Sequence, residues 1–418
     1  MDTIFAEATP PGRGGVSVFR VSGPRARAVL EDLAGPAERS RETCLRGLRD
    51  QDELIDRALV VWFQKGQSFT GEEVSEFHLH GAPVIGKRLE EAFLHLGLRR
   101  AEAGEFTRRA FVNGQISLAD AEGLADLLAA ETEAQRRLAM KAADGEIGRV
   151  ANEMRKKLIR AGALVEVSID FADEEVPDEV PGEVLDLIGQ TRAEIAGLLK
   201  TYPATERLRQ GYEVAIIGPP NAGKSTLLNR IAQRDVALVS DIAGTTRDII
   251  ELRLDLRGLP VTLLDTAGLR DSADLVERMG VERARKRADD ADLRIHLSVD
   301  GTWQDGFKPG DLVLRSKDDE ATDGDSVSGL TGKGVESLLD RLYDELRHRA
   351  ADSGLISHKR QAEALERAYQ ALDVDEIAAP EILAEAIRQG NTALLSVVGL
   401  IGAEDYLDEI FSSFCIGK

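Results

Sequence analysis

The chain has 418 residues, 43% of them hydrophobic, with 53 Lys and Arg against 74 Asp and Glu, for a net charge of −21. This length predicts two to four domains, and the acidic balance argues against a protein that coats nucleic acid or anionic membrane by bulk charge, while leaving room for a local basic patch. Six histidines and two cysteines, Cys44 and Cys415, make neither a zinc-type cluster nor a disulfide framework and suit a reducing, cytoplasmic setting. The opening residues lack the basic and apolar regions of a signal peptide, and no apolar run reaches the ~18 residues of a membrane span.

Residues 1–118 read as a mixed α/β domain. Thr3–Ala6, Val16–Val21, Ala58–Phe63 and the alternating Val74–His80 are predicted strands, and Pro24–Leu33 and Pro83–Leu96 are predicted helices. Pro10 to Gly15 is a loop. Ala103–Phe111 reads as a polar loop feeding an aromatic-capped turn, with Arg108 and Arg109 either binding an anion or simply solvated. Residues 119–210 change to long amphipathic helices, with Leu124, Leu127, Leu128, Leu138, Met154, Leu158 and Ile159 at helical spacing. The acidic stretch ending Asp173-Glu174-Glu175-Val176-Pro177 breaks them as a solvated loop, Glu183–Tyr202 resumes as helix, and 203–211 is a polar linker.

Residues 211–350 alternate strands and helices. The apolar run Val214–Ile217 leads into Gly218-Pro219-Pro220-Asn221-Ala222-Gly223-Lys224-Ser225, and Thr226 opens a helix: a phosphate-binding loop in its expected context. Backbone N–H groups of Asn221, Ala222 and Gly223 would face phosphate oxygens, Lys224 would reach the β/γ-phosphates, and the Ser225 hydroxyl would ligate Mg²⁺. Downstream, Asp241-Ile242-Ala243-Gly244-Thr245-Thr246 supplies a loop threonine of the kind that closes on Mg²⁺ and the γ-phosphate. Asp265-Thr266-Ala267-Gly268 follows a strand; Asp265 suits a water-mediated Mg²⁺ contact and the Gly268 N–H the γ-phosphate. In Ser316-Lys317-Asp318-Asp319, the Asp319 carboxylate accepts two N–H bonds from guanine that adenine cannot offer. Ser328-Gly329-Leu330 would close on the base. Leu269 stands where Ras-type sites place the catalytic glutamine, so water must be oriented by another residue. The Asn221 side chain would hold either a monovalent cation in the place of an arginine finger or a loop hydrogen bond. Helices then return at 357–373, 380–389 and 391–400. The chain thus reads as multidomain α/β plus α: an N-terminal α/β domain (1–118), a discontinuous helical domain (119–210 and 351–418) and an inserted, doubly wound P-loop domain (211–350).

From end to end the sequence resembles the MnmE (TrmE) family of tRNA-modification GTPases. The resemblance rests on residues 8–15, 69–81, 104–115, 220–229, 241–248 and 265–270, on the acidic Phe171–Pro177 stretch, and on the closing Phe411-Ser412-Ser413-Phe414-Cys415-Ile416-Gly417-Lys418. Cys415 belongs to that closing motif; Gly417 and Lys418 after it argue against a prenylation box. The resemblance implies a Ras-like GTPase domain, a folate-binding and dimerising N-terminal domain, a homodimer, and an FAD-containing MnmG-type partner in a heterotetramer or larger complex. Together they would modify the tRNA wobble uridine at carbon 5 with a 5-carboxymethylaminomethyl-type group, through a one-carbon unit from 5-formyltetrahydrofolate or a related folate. It further implies K⁺ at Asn221, Ser240, Ile242 and Thr245, Mg²⁺ at Ser225 and Thr246, and Glu277 as the catalytic glutamate orienting water. Folate contacts fall on Arg20, Glu76 and Lys418, and on Gln115 where the family carries a lysine-like residue. Ser316 replaces the family's Asn, which predicts a looser base loop and modest affinity with guanine specificity retained. Two other readings stay open: a GTP-switched ribosome-assembly module like Era and Der, and a folate-dependent aminomethyl transferase acting alone.

Overall fold

The computed structural model describes residues 2–170, 182–234, 236–238, 251–265, 286–300, 307–308, 310–320, 324–375, 377–399, 411, 414 and 417. They form two compact units, Met1–Ala125 with Val398–Lys418, and Asp126–Val397.

The first unit is built on strands β1 (Ile4–Glu7), β2 (Ser17–Ser22), β3 (Cys44–Asp50), β4 (Glu53–Phe63), β5 (Val74–Leu79) and β6 (Arg99–Arg100), with helices α1 (Ala26–Ala34), α2 (Pro83–His95) and α3 (Glu105–Val112). The sheet order is β3-β4-β5-β2-β1-β6, antiparallel except for β1 with β6. Alternation sends Phe5, Phe19 and Phe77 to one face, where the α2 ring of Phe93 meets them at centroid distances of 5.0, 6.3 and 5.4 Å. Val29, Leu30 and Leu33 of α1 join the same core. The other face buries Ile4 and Ala6 against Phe106 of α3 and leaves Arg20, Glu76 and His78 partly open.

Two features depart from the sequence reading. Strand β3 was not expected, because only Leu48 of Cys44–Asp50 is buried and an edge strand shows no clean alternation. The stretch around Arg108 and Arg109 is helical rather than a loop, and Arg109 is neither solvated nor free. It is 6% exposed and hydrogen-bonds the Asp2 (2.8 Å), Glu105 (2.9 Å) and Glu72 (3.0 Å) carboxylates.

The second unit starts within α4 (Leu118–Ala129) and continues through α5 (Glu133–Ala143), α6 (Glu146–Asp170) and α7 (Gly182–Gln210). It then builds strands β7 (Tyr212–Ile217), β8 (Glu251–Leu256), β9 (Leu259–Asp265), β10 (Leu293–Ser298), β11 (Leu312–Ser316) and β12 (Ser326–Val327), with helices α8 (Lys224–Ala232), α9 (Val335–Ala351), α10 (Lys359–Ala371) and α11 (Pro380–Val397). The second sheet runs β12-β11-β10-β7-β9-β8, parallel except for the β8–β9 hairpin. This is the doubly wound P-loop architecture, which places ligands at the carboxyl ends of the parallel strands. Its core joins Val214 and Ile216 to Leu227 and Ile231 of α8, Leu338 and Leu342 of α9, and Leu138 of α5.

Residues 203–210 of the expected linker 203–211 are instead the last turns of α7. Buried Thr205 and Leu208 anchor it, and the Thr205 hydroxyl donates to the Thr201 carbonyl (2.8 Å), one turn back and beside Pro203. The expected break at Gly390 is absent, and α11 is continuous. A Cβ there would come within 3.0 Å of Leu372 and 3.3 Å of Leu158, so the glycine serves close helix packing rather than termination.

Candidate functional site

The glycine loop joins β7 to α8, and its backbone needs each special residue. A Cβ on Gly218 would sit 2.4 Å from the Leu297 carbonyl oxygen. Gly223 has φ +90° and caps α8, while Asn221 has φ +65°, a left-handed conformation that Asn tolerates better than most residues. Asn221 is exposed.

Lys224 is 6% exposed, yet among the described residues its ammonium donates only to the carbonyls of Gly218 (2.7 Å) and Pro219 (3.0 Å). Burial lowers its pKa, against an opposing pull from the Asp265 charge. A buried cation held by neutral carbonyls at a helix N-terminus is a receptor for an anion. Ser225, the second residue of α8, donates its hydroxyl to the Asp265 carboxylate at 2.8 Å. A hydroxyl beside a carboxylate, at the end of β9 next to the phosphate loop, is an oxygen donor set that fits Mg²⁺.

Beside the loop lies a cavity of about 270 Å³ lined by Gly223, Thr226, Leu297, Ser316, Lys317, Asp319 and Ser328, among others. The Ser328 hydroxyl donates to Asp319 (2.7 Å) and accepts from the Thr331 N–H (3.0 Å), so the Ser328 loop orients the Asp319 carboxylate. Gly329 must be glycine, since a Cβ would fall 2.8 Å from the Leu227 nitrogen of α8. Lys317 has φ +61°, and its stem passes near Gly223. The Ser316 hydroxyl is buried and has no hydrogen-bond partner among the described residues. Arg230 of α8, which the sequence did not single out, donates to the Gly329 carbonyl at 3.0 Å and clamps this loop. A helix-surface arginine gives no signal of that role in sequence.

The structure therefore brings together Asn221, Ala222, Gly223, Lys224, Ser225, Thr226, Asp265, Ser316, Lys317, Asp319 and Ser328. Ser240, Asp241, Ile242, Ala243, Gly244, Thr245, Thr246, Thr266, Ala267, Gly268, Leu269, Glu277, Cys415 and Lys418 lie outside the described residues, as does the acidic stretch 171–177.

On the N-terminal unit, sheet register places Arg20 opposite Glu76. The Arg20 Nε donates to Glu76 Oε1 at 2.9 Å, with the Phe106 ring 5.8 Å from the guanidinium carbon. Gln115 packs against Gly71 on the neighbouring loop, and a Cβ there would be 3.0 Å from its side chain. Gly417 lies against the end of β1, where a Cβ would be 2.5 Å from the Glu7 carbonyl oxygen. Gly417 thus lies at the same sheet that carries Arg20 and Glu76.

Residues 3–115 match the family described as the GTP-binding protein TrmE N-terminus, and residues 118–415 match that described as the MnmE helical domain. The chain is 71% identical over its full length, and that of its relative, to the tRNA modification GTPase MnmE of Paracoccus denitrificans. It is 50% identical, again covering all of both chains, to the tRNA modification GTPase MnmE of Ruegeria pomeroyi. Among solved structures, the G domain of the T. maritima FeoB iron transporter aligns with 32% of this chain and 98% of its own, at 23% identity and a TM-score of 0.23. That value adds nothing to the sheet order described above.

Proposed function

The chain belongs to the MnmE family of tRNA modification GTPases and is a GTP hydrolase, and we propose that it acts with an FAD-containing partner to place a 5-carboxymethylaminomethyl-type group on the tRNA wobble uridine. The buried Lys224 ammonium, with carbonyls as its hydrogen-bond partners, carries the nucleotide half of this reading. Lys224 and the loop N–H groups bind the phosphates, and Asp319, oriented by Ser328, reads guanine. Mg²⁺ would be held by Ser225 and Thr246 with Asp265 close by, and K⁺ by Asn221, Ser240, Ile242 and Thr245. When bound, the divalent ion would neutralise phosphate charge and the monovalent ion would supply the positive charge that an arginine finger gives elsewhere. Glu277 orients the attacking water, the task that Leu269 cannot perform.

Arg20, Glu76, Gln115 and Lys418 would hold 5-formyltetrahydrofolate or a related folate, the one-carbon source for the modification. The working form is a cytoplasmic homodimer that meets its MnmG-type partner and tRNA, with domains at 1–118, 119–210 with 351–418, and 211–350. Among the described residues, no helix is long and apolar enough to cross a membrane.

The test is GTP turnover in K⁺ and in Na⁺. We expect turnover at least about tenfold faster in K⁺, and Glu277→Ala to lose turnover while keeping nucleotide binding. Equal rates in both salts reject the cation assignment, and wild-type turnover in the Glu277 variant rejects its role.

A further inference from the structure

Arg230 stands nearly two turns into α8, the helix that opens with Lys224 and Ser225. An arginine on a helix surface commonly pairs with an acid one turn away. Here the positions one turn away are Thr226, Leu227, Gln233 and Arg234, and none is an acid. The guanidinium reaches instead to the loop that follows β12. Its Nε donates to the Gly329 carbonyl at 3.0 Å, and its Nη2 donates to the Leu330 carbonyl. The stem lies along the same loop, where a Cβ on Gly332 would be 3.5 Å from Arg230 Cδ. A planar guanidinium that donates to two successive carbonyls fixes the direction of that backbone as well as its position.

The loop is tied within itself, so a shift at Gly329 and Leu330 carries Ser328 with it. The Ser328 N–H donates to the Lys333 carbonyl (3.0 Å), the Gly332 N–H to the Ser328 carbonyl (2.9 Å) and the Thr331 N–H to the Ser328 hydroxyl (3.0 Å). Pairing of β12 with β11 anchors the near end of this loop, and Arg230 anchors the far end. Ser328 is fully buried, and its hydroxyl donates to Asp319 Oδ1 at 2.7 Å. That bond takes one lone pair of Oδ1 and leaves the other, together with Oδ2, for the N–H groups of a ligand. Ser316, which lines the same cavity, supplies no tie, since its hydroxyl has no hydrogen-bond partner among the described residues. Arg230 therefore links the loop that orients Asp319 to the helix that carries Lys224 and Ser225.

We propose that Arg230 is a positioning residue for Asp319 and that guanine selectivity depends on its hold on the Ser328 loop, a role that rests on the reading of Asp319 as the carboxylate that recognises guanine. The experiment measures Kd of the full chain for GDP and for IDP, which lacks the exocyclic amine, by competition with a fluorescent nucleotide. Wild type is compared with Arg230→Ala and with Arg230→Met, which removes the donors but keeps an apolar stem against Gly332. The thermal midpoint of the nucleotide-free protein monitors the fold, and Arg230→Met decides the matter if Arg230→Ala does not fold. Wild type should prefer GDP by about tenfold or more, since the amine donates to a charged acceptor. We expect both variants to bind GDP about tenfold more weakly and IDP only about threefold more weakly, so that the preference shrinks about threefold. Unchanged GDP affinity in the variants overturns the proposal. Equal losses for the two nucleotides also overturn it, because a loop that is merely less stable weakens both alike. Full recovery in Arg230→Met of a preference lost in Arg230→Ala overturns it too, since packing of the stem would then carry the effect. If the wild-type chain itself binds GDP and IDP equally, the guanine reading of Asp319 falls first, and the role of Arg230 with it.

Discussion

Arg109 and Lys224 are both cations at 6% exposure, one in each unit, and their surroundings are opposite. Arg109 is surrounded by Asp2, Glu72 and Glu105, and these hydrogen bonds overcome burial and raise its pKa. Among the described residues Lys224 has only carbonyls as hydrogen-bond partners, and burial lowers its pKa. A buried charge satisfied by its own chain is scaffolding: Arg109 ties the N-terminal residues and the Glu72 loop to α3. A buried charge left with neutral partners is a binding site whose counter-ion arrives with the ligand. The same contrast separates polar hydroxyls. Ser22, bonded to Thr70 (2.8 Å) and Glu72 (2.7 Å), belongs to the scaffold, whereas Ser316 faces the base cavity with no partner.

The sharpest way to break this comparison is to remove each cation. Arg109→Met leaves the largely buried Glu72 carboxylate without its cation, while Asp2 and Glu105 keep Arg99, and should destabilise the N-terminal unit by about 3 kcal/mol, read from denaturant midpoints, with GTP turnover per folded molecule retained. Lys224→Ala should weaken GTP binding by at least about 100-fold, close to 3 kcal/mol, while the nucleotide-free protein melts no lower than wild type. A large loss of stability in the lysine variant, or of GTP binding in the arginine variant, would erase the distinction.

Ser316→Asn restores a longer side chain beside Asp319 and the glycine loop. It should tighten GTP by about three- to tenfold in a fluorescent-nucleotide titration, because the present hydroxyl makes no bond of its own.

The smallest effect concerns acid. Hydrogen bonds from Arg99 and Arg109 hold the Asp2 carboxyl at about 2, below its ordinary 3.8. A folded-state pKa below the unfolded one adds stability above the unfolded value and loses it as pH falls through the folded value. Stability should therefore decline between about pH 4 and about pH 2, and Asp2→Asn should flatten part of that decline in urea midpoints. The side chain is half exposed, so screening keeps the effect modest.

The nucleotide site was legible because its parts are contiguous. The loop Gly218–Ser225, the Asp265 strand end and the Ser316–Asp319 turn each carry their chemistry within a few residues, and strand–loop–helix order supplies the rest. The outer-face row was not legible from spacing: Arg20 and Glu76 are 56 residues apart, and only strand register makes them partners. The Arg108–Arg109 pair misled for a related reason. Composition shows two exposed-looking arginines, but the carboxylates that bury one of them come from Asp2 and Glu72, far away along the chain.

By itself the sequence determined the strand–glycine loop–helix element and most of the helical segments, and it supplied the expectation that Asp319 reads guanine, all of which depend on local periodicity and on motifs a few residues long. The tertiary structure decided what long-range packing controls. It made the 203–210 stretch helix by burying Thr205 and Leu208, and carried α11 unbroken through Gly390 because a neighbouring leucine needs the space. It also made Arg109 a clamp while leaving Lys224 open to a ligand. Which buried charge is satisfied depends on groups brought in from elsewhere in the chain, and local sequence cannot specify that.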